Sequence, residues 1–171
     1  LHDTQGIKYL IWFLRPSDNT WELRFIVKPS KILNNGNSIG NGLFAARNFN
    51  AKENLSYFTG PEISFEQVTA LQDTPDGESI MLFASKNYDT SKGNTGAQFS
   101  NSTKKTENAE MKGYILPNFR GVYSLKVKDT KAIHAGDEIT VSYGAQFWKS
   151  SHSDLPQPPP ILSDPPLGQL D

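Results

Sequence analysis

Apolar residues along this chain gather in short runs that glycine, proline and asparagine interrupt. Apolar runs of about four to eight residues between turn formers are typical of β-strands. The runs at residues 9–14 and 21–27 flank a turn rich in proline, serine and asparagine, and they predict a hairpin. Further strands are predicted at residues 54–58, 122–127 and 138–143, the last of them after a turn at residues 135–137.

One segment favours a helix. Ser64 can act as an N-cap and Glu66 places a carboxylate in the first turn, so a short helix is predicted over residues 64–72. No stretch has the repeat of a long amphipathic helix. The pattern therefore predicts a mainly β protein with short strands, long loops and one or two short helices.

Composition narrows the classes of function. The chain has 171 residues, no cysteine, three histidines and a formal net charge of −1. Its length suits one domain, and the missing thiols exclude disulfides, a thiolate nucleophile and cysteine-ligated zinc. We expect no metal site, because the histidines are scattered, and no duplex nucleic-acid binding, because that needs a basic excess. The apolar run at residues 9–14 is too short to cross a membrane, so we do not expect a membrane to be a partner of this chain.

Two segments are biased in composition. Residues 155–166 contain six prolines, and no lysine or arginine follows Lys149, so residues 149–171 are expected to form an extended or disordered tail. This tail can be a ligand for an aromatic-lined groove or a plain linker. Residues 53–85 contain six acidic residues and no lysine or arginine. They would attract a basic peptide if they lay beside a cleft, or would simply keep a loop soluble.

Three strings carry candidate chemistry. A Gly-x-Gly turn at residues 40–42 leads into an apolar strand, where a ligand can approach the backbone closely. Asparagines recur between residues 94 and 108, where side-chain amides can serve backbone or ligand. A strand at residues 138–143 ends at Tyr143, followed by Phe147 and Trp148. Each string taken alone is equally explained by turns and core packing.

Taken together and in this order, the strings resemble the SET domain family of protein-lysine methyltransferases. The matching strings are GNGLFA at residues 40–45, YFTG at 57–60, DTSKGN at 89–94, QFSN at 98–101 and AGDEITVSYG at 135–144. The resemblance covers roughly residues 25–148. It implies a SET-like β-clip fold of several short curved sheets with a pseudo-knot near the C-terminal end. Residues 1–24 would then be flanking strands, residues 25–148 the SET-like domain and residues 149–171 the tail.

The resemblance also implies a reaction and its residues. The chain would transfer a methyl group from S-adenosylmethionine to a lysine of a basic protein tail such as a histone, in the nucleus. Tyr143 would lie at the point of methyl transfer. The donor would contact Gly40, Asn41, Gly42, Asn101 and Trp148. The channel for the substrate lysine would be lined by Tyr57, Val141 and Phe147.

This reaction suits the composition, because direct displacement by a neutral amine needs orientation and a dry channel rather than a metal or a thiol. The chain departs from the family pattern where Ser102 replaces a histidine and Gln98 an arginine. A catalytically inactive SET-like or PR-like protein-interaction module is therefore the alternative. The family's cysteine-rich flanks are missing as well, so the tail, a partner or a second copy of the chain would have to close the lysine channel.

Overall fold

The computed structural model describes residues 6–74, 77, 79–83, 86–103, 105–115 and 121–142. This part of the chain forms short β-strands, one α-helix and two 3-10 turns. The strands are β1 (Tyr9–Arg15), β2 (Thr20–Pro29), β3 (Leu33–Asn34), β4 (Asn37–Ser38), β5 (Asn41–Ala45), β6 (Asn54–Tyr57), β7 (Glu62–Ile63), β8 (Ile80–Phe83), β9 (Lys86–Asp89), β10 (Asn101–Ser102), β11 (Ala109–Ile115), β12 (Gly121–Val127) and β13 (Glu138–Val141). The helix is α1 (Phe65–Leu71), and the 3-10 turns are Thr90–Lys92 and Ala97–Phe99.

The strands form several small sheets. The largest has the order β1-β2-β5-β13-β10, and a second has the order β11-β12-β6. Strands β7, β9 and β8 form a third sheet, and β3 pairs with β4. Among the described pairs, β10 with β13 is parallel and the others are antiparallel. The expectation of a mainly β, SET-like fold with several small sheets and one short helix is confirmed.

Local sequence signals placed several elements correctly. The predicted hairpin is β1 and β2, and Asn19 takes a left-handed conformation at its turn, with φ of 56°. The predicted helix begins after Ser64, whose hydroxyl accepts from the backbone N–H of Gln67 while the Gln67 side chain accepts from the N–H of Ser64. This reciprocal cap satisfies two donors that the helix itself leaves free. Within the described residues, no helix is long and apolar enough to cross a bilayer.

The core lies where the sheets pack together. Its largest fully buried side chains come from β2, β5, β6, β12, β13 and the loops between them. They include Phe25, Leu43, Phe49, Leu55, Leu125, Ile133 and Ile139. Phe25 stacks on Phe49 and meets the edge of Phe13. Because these strands pack around one core in a fixed order, the loops that connect them are held in fixed positions, including those of the candidate site.

A β-bulge turns a charged residue into this core. Ile11 pairs with Phe25 and Trp12 with Leu23, so Arg24 has no partner on β1. The extra residue lets Arg24 and Phe25 both face inward, since side chains otherwise alternate along a strand. Arg24 is 7% exposed, and its guanidinium lies 4.8 Å from the ring centre of Phe13.

One carboxylate and one carbonyl hold this buried cation, and a second arginine shares the carboxylate. Arg24 donates to Glu22 at 3.2 Å and to the Leu55 carbonyl at 3.2 Å. Arg47 donates to Glu22 and, at 2.7 Å, to Glu53. Burial opposes the ionisation of Glu22, but the hydrogen bonds and charges of Arg24 and Arg47 outweigh it and hold the pKa of Glu22 below its usual 4.5. A carboxylate with a lowered folded-state pKa stabilises the fold above its ordinary pKa and loses that effect as the pH falls.

We expect Glu22→Gln to destabilise the fold by about 3 kcal/mol at pH 7, because it removes one partner of a buried ion pair. The difference from the parent chain should shrink as the pH falls below 4.5, because Glu22 then takes up a proton in the unfolded parent chain before it does so in the folded one. Urea unfolding from pH 7 to pH 3 measures this difference. Asp73→Asn, at an exposed position after α1, is the control and should leave stability almost unchanged at every pH. A difference independent of pH would contradict the role given to Glu22.

Candidate functional site

The Gly-x-Gly turn leads directly into β5. Gly40 has a φ of 97°, a left-handed conformation that glycine adopts without strain, and the space where a side chain would start is open. The Gly40 carbonyl accepts from the backbone N–H of Ser30 at 2.9 Å, which ties the turn to the end of β2. The turn therefore presents its backbone to an open side, as a ligand-binding turn requires.

Strand β13 brings the other matching strings to this turn. It pairs with β5 through Glu138 opposite Phe44 and with β10 through Asn101 opposite Thr140. Residues far apart in sequence therefore lie in adjacent strands of one sheet. The predicted donor contacts Gly40, Asn41, Gly42 and Asn101 are brought together in this way.

Asn108 completes the backbone hydrogen bonding of β13. Its side-chain N–H donates to the Glu138 carbonyl at 2.9 Å, and its side-chain oxygen accepts from the Thr140 N–H at 2.9 Å. Its own backbone N–H also donates to the Thr140 carbonyl. One amide side chain thus supplies two backbone-like hydrogen bonds to β13, as asparagine's donor and acceptor pair permits. The sequence drew attention to this asparagine without revealing what it does.

Asn101 is joined to the turn by its side chain. Its amide nitrogen donates to the Asn41 carbonyl at 2.9 Å and to the Glu138 carboxylate at 3.3 Å. Among the described residues, no group donates to the Asn101 amide oxygen, which can act as an acceptor. Asn101 therefore both braces the Gly-x-Gly backbone and offers one oxygen to a ligand.

Glu138 is the site residue that sequence reasoning passed over. Its carboxylate accepts from the Ser30 hydroxyl at 2.6 Å and from the Lys31 backbone N–H at 2.9 Å, besides the bond from Asn101. A Cβ on Gly42 would overlap this carboxylate, whose carbon lies 3.0 Å from that position. The second glycine of the turn therefore makes room for a residue of this chain, while the first faces open space. The signal was present, because Glu138 belongs to the matching string at residues 135–144.

The predicted channel residues lie deeper. Val141 is fully buried in the core, and Tyr57 packs against the same cluster. The Tyr57 carbonyl accepts a hydrogen bond from the Thr95 hydroxyl. The predicted catalytic Tyr143, together with Phe147 and Trp148, lies outside the described residues, as does the proline-rich tail. β13 is described as far as Val141, two residues before Tyr143.

A small cavity lies on the outer side of the same strands. It has a volume of about 140 Å³ and is lined by Ile26, Lys28, Phe44, residues 45–46 and the turn at residues 135–136. Pockets for drug-sized ligands measure roughly 300–1,000 Å³, so this cavity suits one small group. Among the described residues, no three acidic or histidine side chains lie close enough to hold a metal ion.

Part of the acidic segment is already paired within the chain. Glu53 accepts from Arg47 at 2.7 Å, and Glu62 accepts from Lys86 at 2.9 Å. Asp76 and Glu78 lie outside the described residues. Two of the six charges are therefore compensated by neighbours, which weakens the field they would offer to a basic peptide.

Comparison with known proteins finds solved structures that have a similar fold. No protein-family model and no curated protein sequence matches the chain. Among solved structures, an active polycomb repressive complex 2 in the stimulated state overlays with a TM-score of 0.61 and 20% identity, over 84% of this chain and 18% of that one. The complex ctPRC2 in an autoinhibited conformation, bound to S-adenosylmethionine, overlays with a TM-score of 0.59 and 22% identity. This overlay covers 71% of this chain and 15% of that one.

A further overlay is looser. A histone methyltransferase candidate of Plasmodium falciparum gives a TM-score of 0.49 and 15% identity, over 74% of this chain and 98% of that one. The chain spans less than a fifth of the two polycomb chains that it matches. At such identities, the two closer overlays show that the fold is shared.

We expect Gly42→Ala to destabilise the chain by about 1–3 kcal/mol, because the added methyl group would push Glu138 away from the polar groups that it satisfies. The test is a double-mutant cycle with Glu138→Ala, measured by urea unfolding. Most of the cost of Gly42→Ala should disappear once the carboxylate is gone. Equal costs in both backgrounds would show that the glycine serves another purpose.

Proposed function

We propose that this chain is an S-adenosylmethionine-dependent protein-lysine N-methyltransferase. The observation that carries the proposal is the meeting of the Gly40–Gly42 turn, Asn101 and β13 at one edge of the sheet. These three strings are separated by up to about a hundred residues in the sequence, and the fold makes them neighbours. The overlay on a polycomb complex bound to S-adenosylmethionine supports the same assignment.

The residues present fit a donor with an amino-acid end. The open space beside Gly40 leaves room for a ligand against the turn, and the amide oxygen of Asn101 can accept from its ammonium group. The Glu138 carboxylate lies beside Asn101 and adds a negative charge that suits a cationic ligand. Bound there, S-adenosylmethionine would supply an activated methyl group.

The chain's own contribution would be orientation. Val141 ends β13 within the core, Tyr57 packs against the same core, and burial in such surroundings would favour the neutral amine of a lysine. Tyr143 would hold that amine with its lone pair directed at the methyl carbon. Alignment of two reactants in this way can lower a barrier by about 7–11 kcal/mol. A histone-like basic substrate and a nuclear location remain part of this proposal.

One observation favours the alternative of an inactive interaction module. The amide nitrogen of Asn101 is already used by Asn41 and Glu138, and Ser102 follows it where the family has a histidine. In an inactive module, these hydrogen bonds within the chain would replace contacts to the donor. Donor binding and methyl transfer therefore have to be measured separately.

Transfer of a labelled methyl group from S-adenosylmethionine to histones or a basic peptide array tests the activity. We expect labelling of lysine, reduced about 100-fold by Tyr143→Phe, because loss of the hydroxyl misplaces the attacking amine. Tyr9→Phe, an exposed tyrosine of β1, is the matched control and should retain full activity. Labelling that survives Tyr143→Phe unchanged would remove Tyr143 from the reaction.

Calorimetry with S-adenosylmethionine separates the two functions. We expect binding that Asn101→Ala weakens about tenfold, the cost of one hydrogen bond to a charged group. Asn87→Ala on β9, in another sheet, should bind as the parent chain does. Binding without transfer to any basic substrate would favour the interaction module, and absence of binding would overturn the enzyme assignment.

A further inference from the structure

The outer side of the β1–β2 hairpin exposes an apolar surface. Trp21 is 65% exposed, Trp12 50% and Leu10 47%. Leu10 pairs with Ile26, Trp12 with Leu23 and Leu14 with Trp21, and directly paired residues point to the same side of a sheet. We call this surface the hairpin face; it consists of Leu10, Trp12, Leu14, Trp21, Leu23 and Ile26.

The β-bulge in the β1–β2 hairpin determines which residues form the hairpin face. The bulge turns Arg24 and Phe25 inward together, and Leu23 and Ile26 therefore stay on the outer side. Ile26 also lines the 140 Å³ cavity beside Phe44, so the apolar surface runs from the two tryptophans into a recess. Contiguous apolar surfaces of this kind usually mark a binding site.

The chain leaves β13 at the end of the sheet where this surface begins. Glu138 lies opposite Phe44, Phe44 opposite Ile26 and Ile26 opposite Leu10, which makes one row across four strands. Because neighbouring strands in this row are antiparallel, the C-terminal end of β13 lies on the side where β1 starts. β13 is three strands from β1, a distance of about 14 Å.

The segment that follows has the length and the composition to cover this face. Residues 143–155 can span at most about 45 Å, three times the distance needed to reach β1. Residues 155–166 then contain six prolines among leucine and isoleucine. Proline lacks the N–H that a sheet edge needs, but proline-rich segments dock on exposed aromatic side chains in an extended helix. Trp12 and Trp21 provide such side chains.

Charge complements the apolar match. The ammonium groups of Lys28 and Lys31 lie 4.6 and 5.6 Å from the ring centre of Phe44, on the side of the sheet that carries the hairpin face. Among the described residues, neither takes part in an ion pair. Residues 150–171 contain three aspartates and no lysine or arginine. An acidic segment is favoured over a basic one on this surface.

We propose that the hairpin face is the docking site of the chain's own proline-rich segment, residues 155–166. The segment lies across Trp12 and Trp21 with its apolar residues toward the recess beside Phe44. This contact is independent of donor binding, and it holds whether or not the chain transfers methyl groups.

The absence of cysteine allows a clean test. A nitroxide on Ser163→Cys in the full chain should broaden the amide signals of β1 and β2 in a nitrogen-15 spectrum, and leave those of α1 and β8 sharp. Trp12→Ser with Trp21→Ser should abolish the broadening, while the spectrum keeps the dispersion of the folded chain. Phe65→Ser on α1 removes an aromatic side chain that is even more exposed, at 78%, and should change nothing.

A mixed sample decides which molecule provides the segment. The nitroxide is placed on unlabelled chains, which are mixed with nitrogen-15 chains that carry none. Broadening of β1 and β2 in this mixture would assign the contact to a second copy and overturn docking within one chain. Sharp β1 and β2 signals in the directly labelled chain would overturn the proposal altogether. Pro158→Gly, Pro159→Gly and Pro160→Gly made together should weaken the broadening, because they remove the preformed extended helix.

Discussion

The position of β13 between β5 and β10 is the constraint on which the candidate site depends. β13 is four residues long, and it pairs with β5 and with β10 through two residues each. Both amide atoms of Asn108 supply the missing backbone bonds, and the Glu138 carboxylate ties the strand to Ser30 and Lys31. With β13 held in this way, the Gly40 turn and Asn101 become neighbours.

The Arg24 bulge has consequences on both sides of the sheet. Inside, it places a cation among aromatic rings and requires Glu22, Arg47 and Glu53 to gather around it. Outside, it keeps Trp12 in line with Leu23, so the hairpin face stays continuous. A single inserted residue thus accounts for a buried ion-pair cluster and for an exposed apolar surface.

Sequence reasoning found the elements whose signal is local. β1, β2, β6, β12, β13 and α1 were predicted, because apolar runs between turn residues and the Ser64 cap identify them. β11, which contains Glu110, Lys112 and Gly113, was missed, since its strand character comes from pairing with β12 and not from its own residues. The roles of Glu138 and Asn108 were missed for the same reason, because their partners are distant in sequence.

The sequence by itself determined that the protein is mainly β, where most strands and the helix lie, and which strings belong together. It could do so because turn chemistry, capping and side-chain alternation act over a few residues. Only the tertiary structure decided that Gly42 makes room for Glu138, that Asn101 braces the turn, and that Trp12 and Trp21 face outward. Those facts depend on strand order and on one bulge, which set the contacts between residues that no local pattern connects.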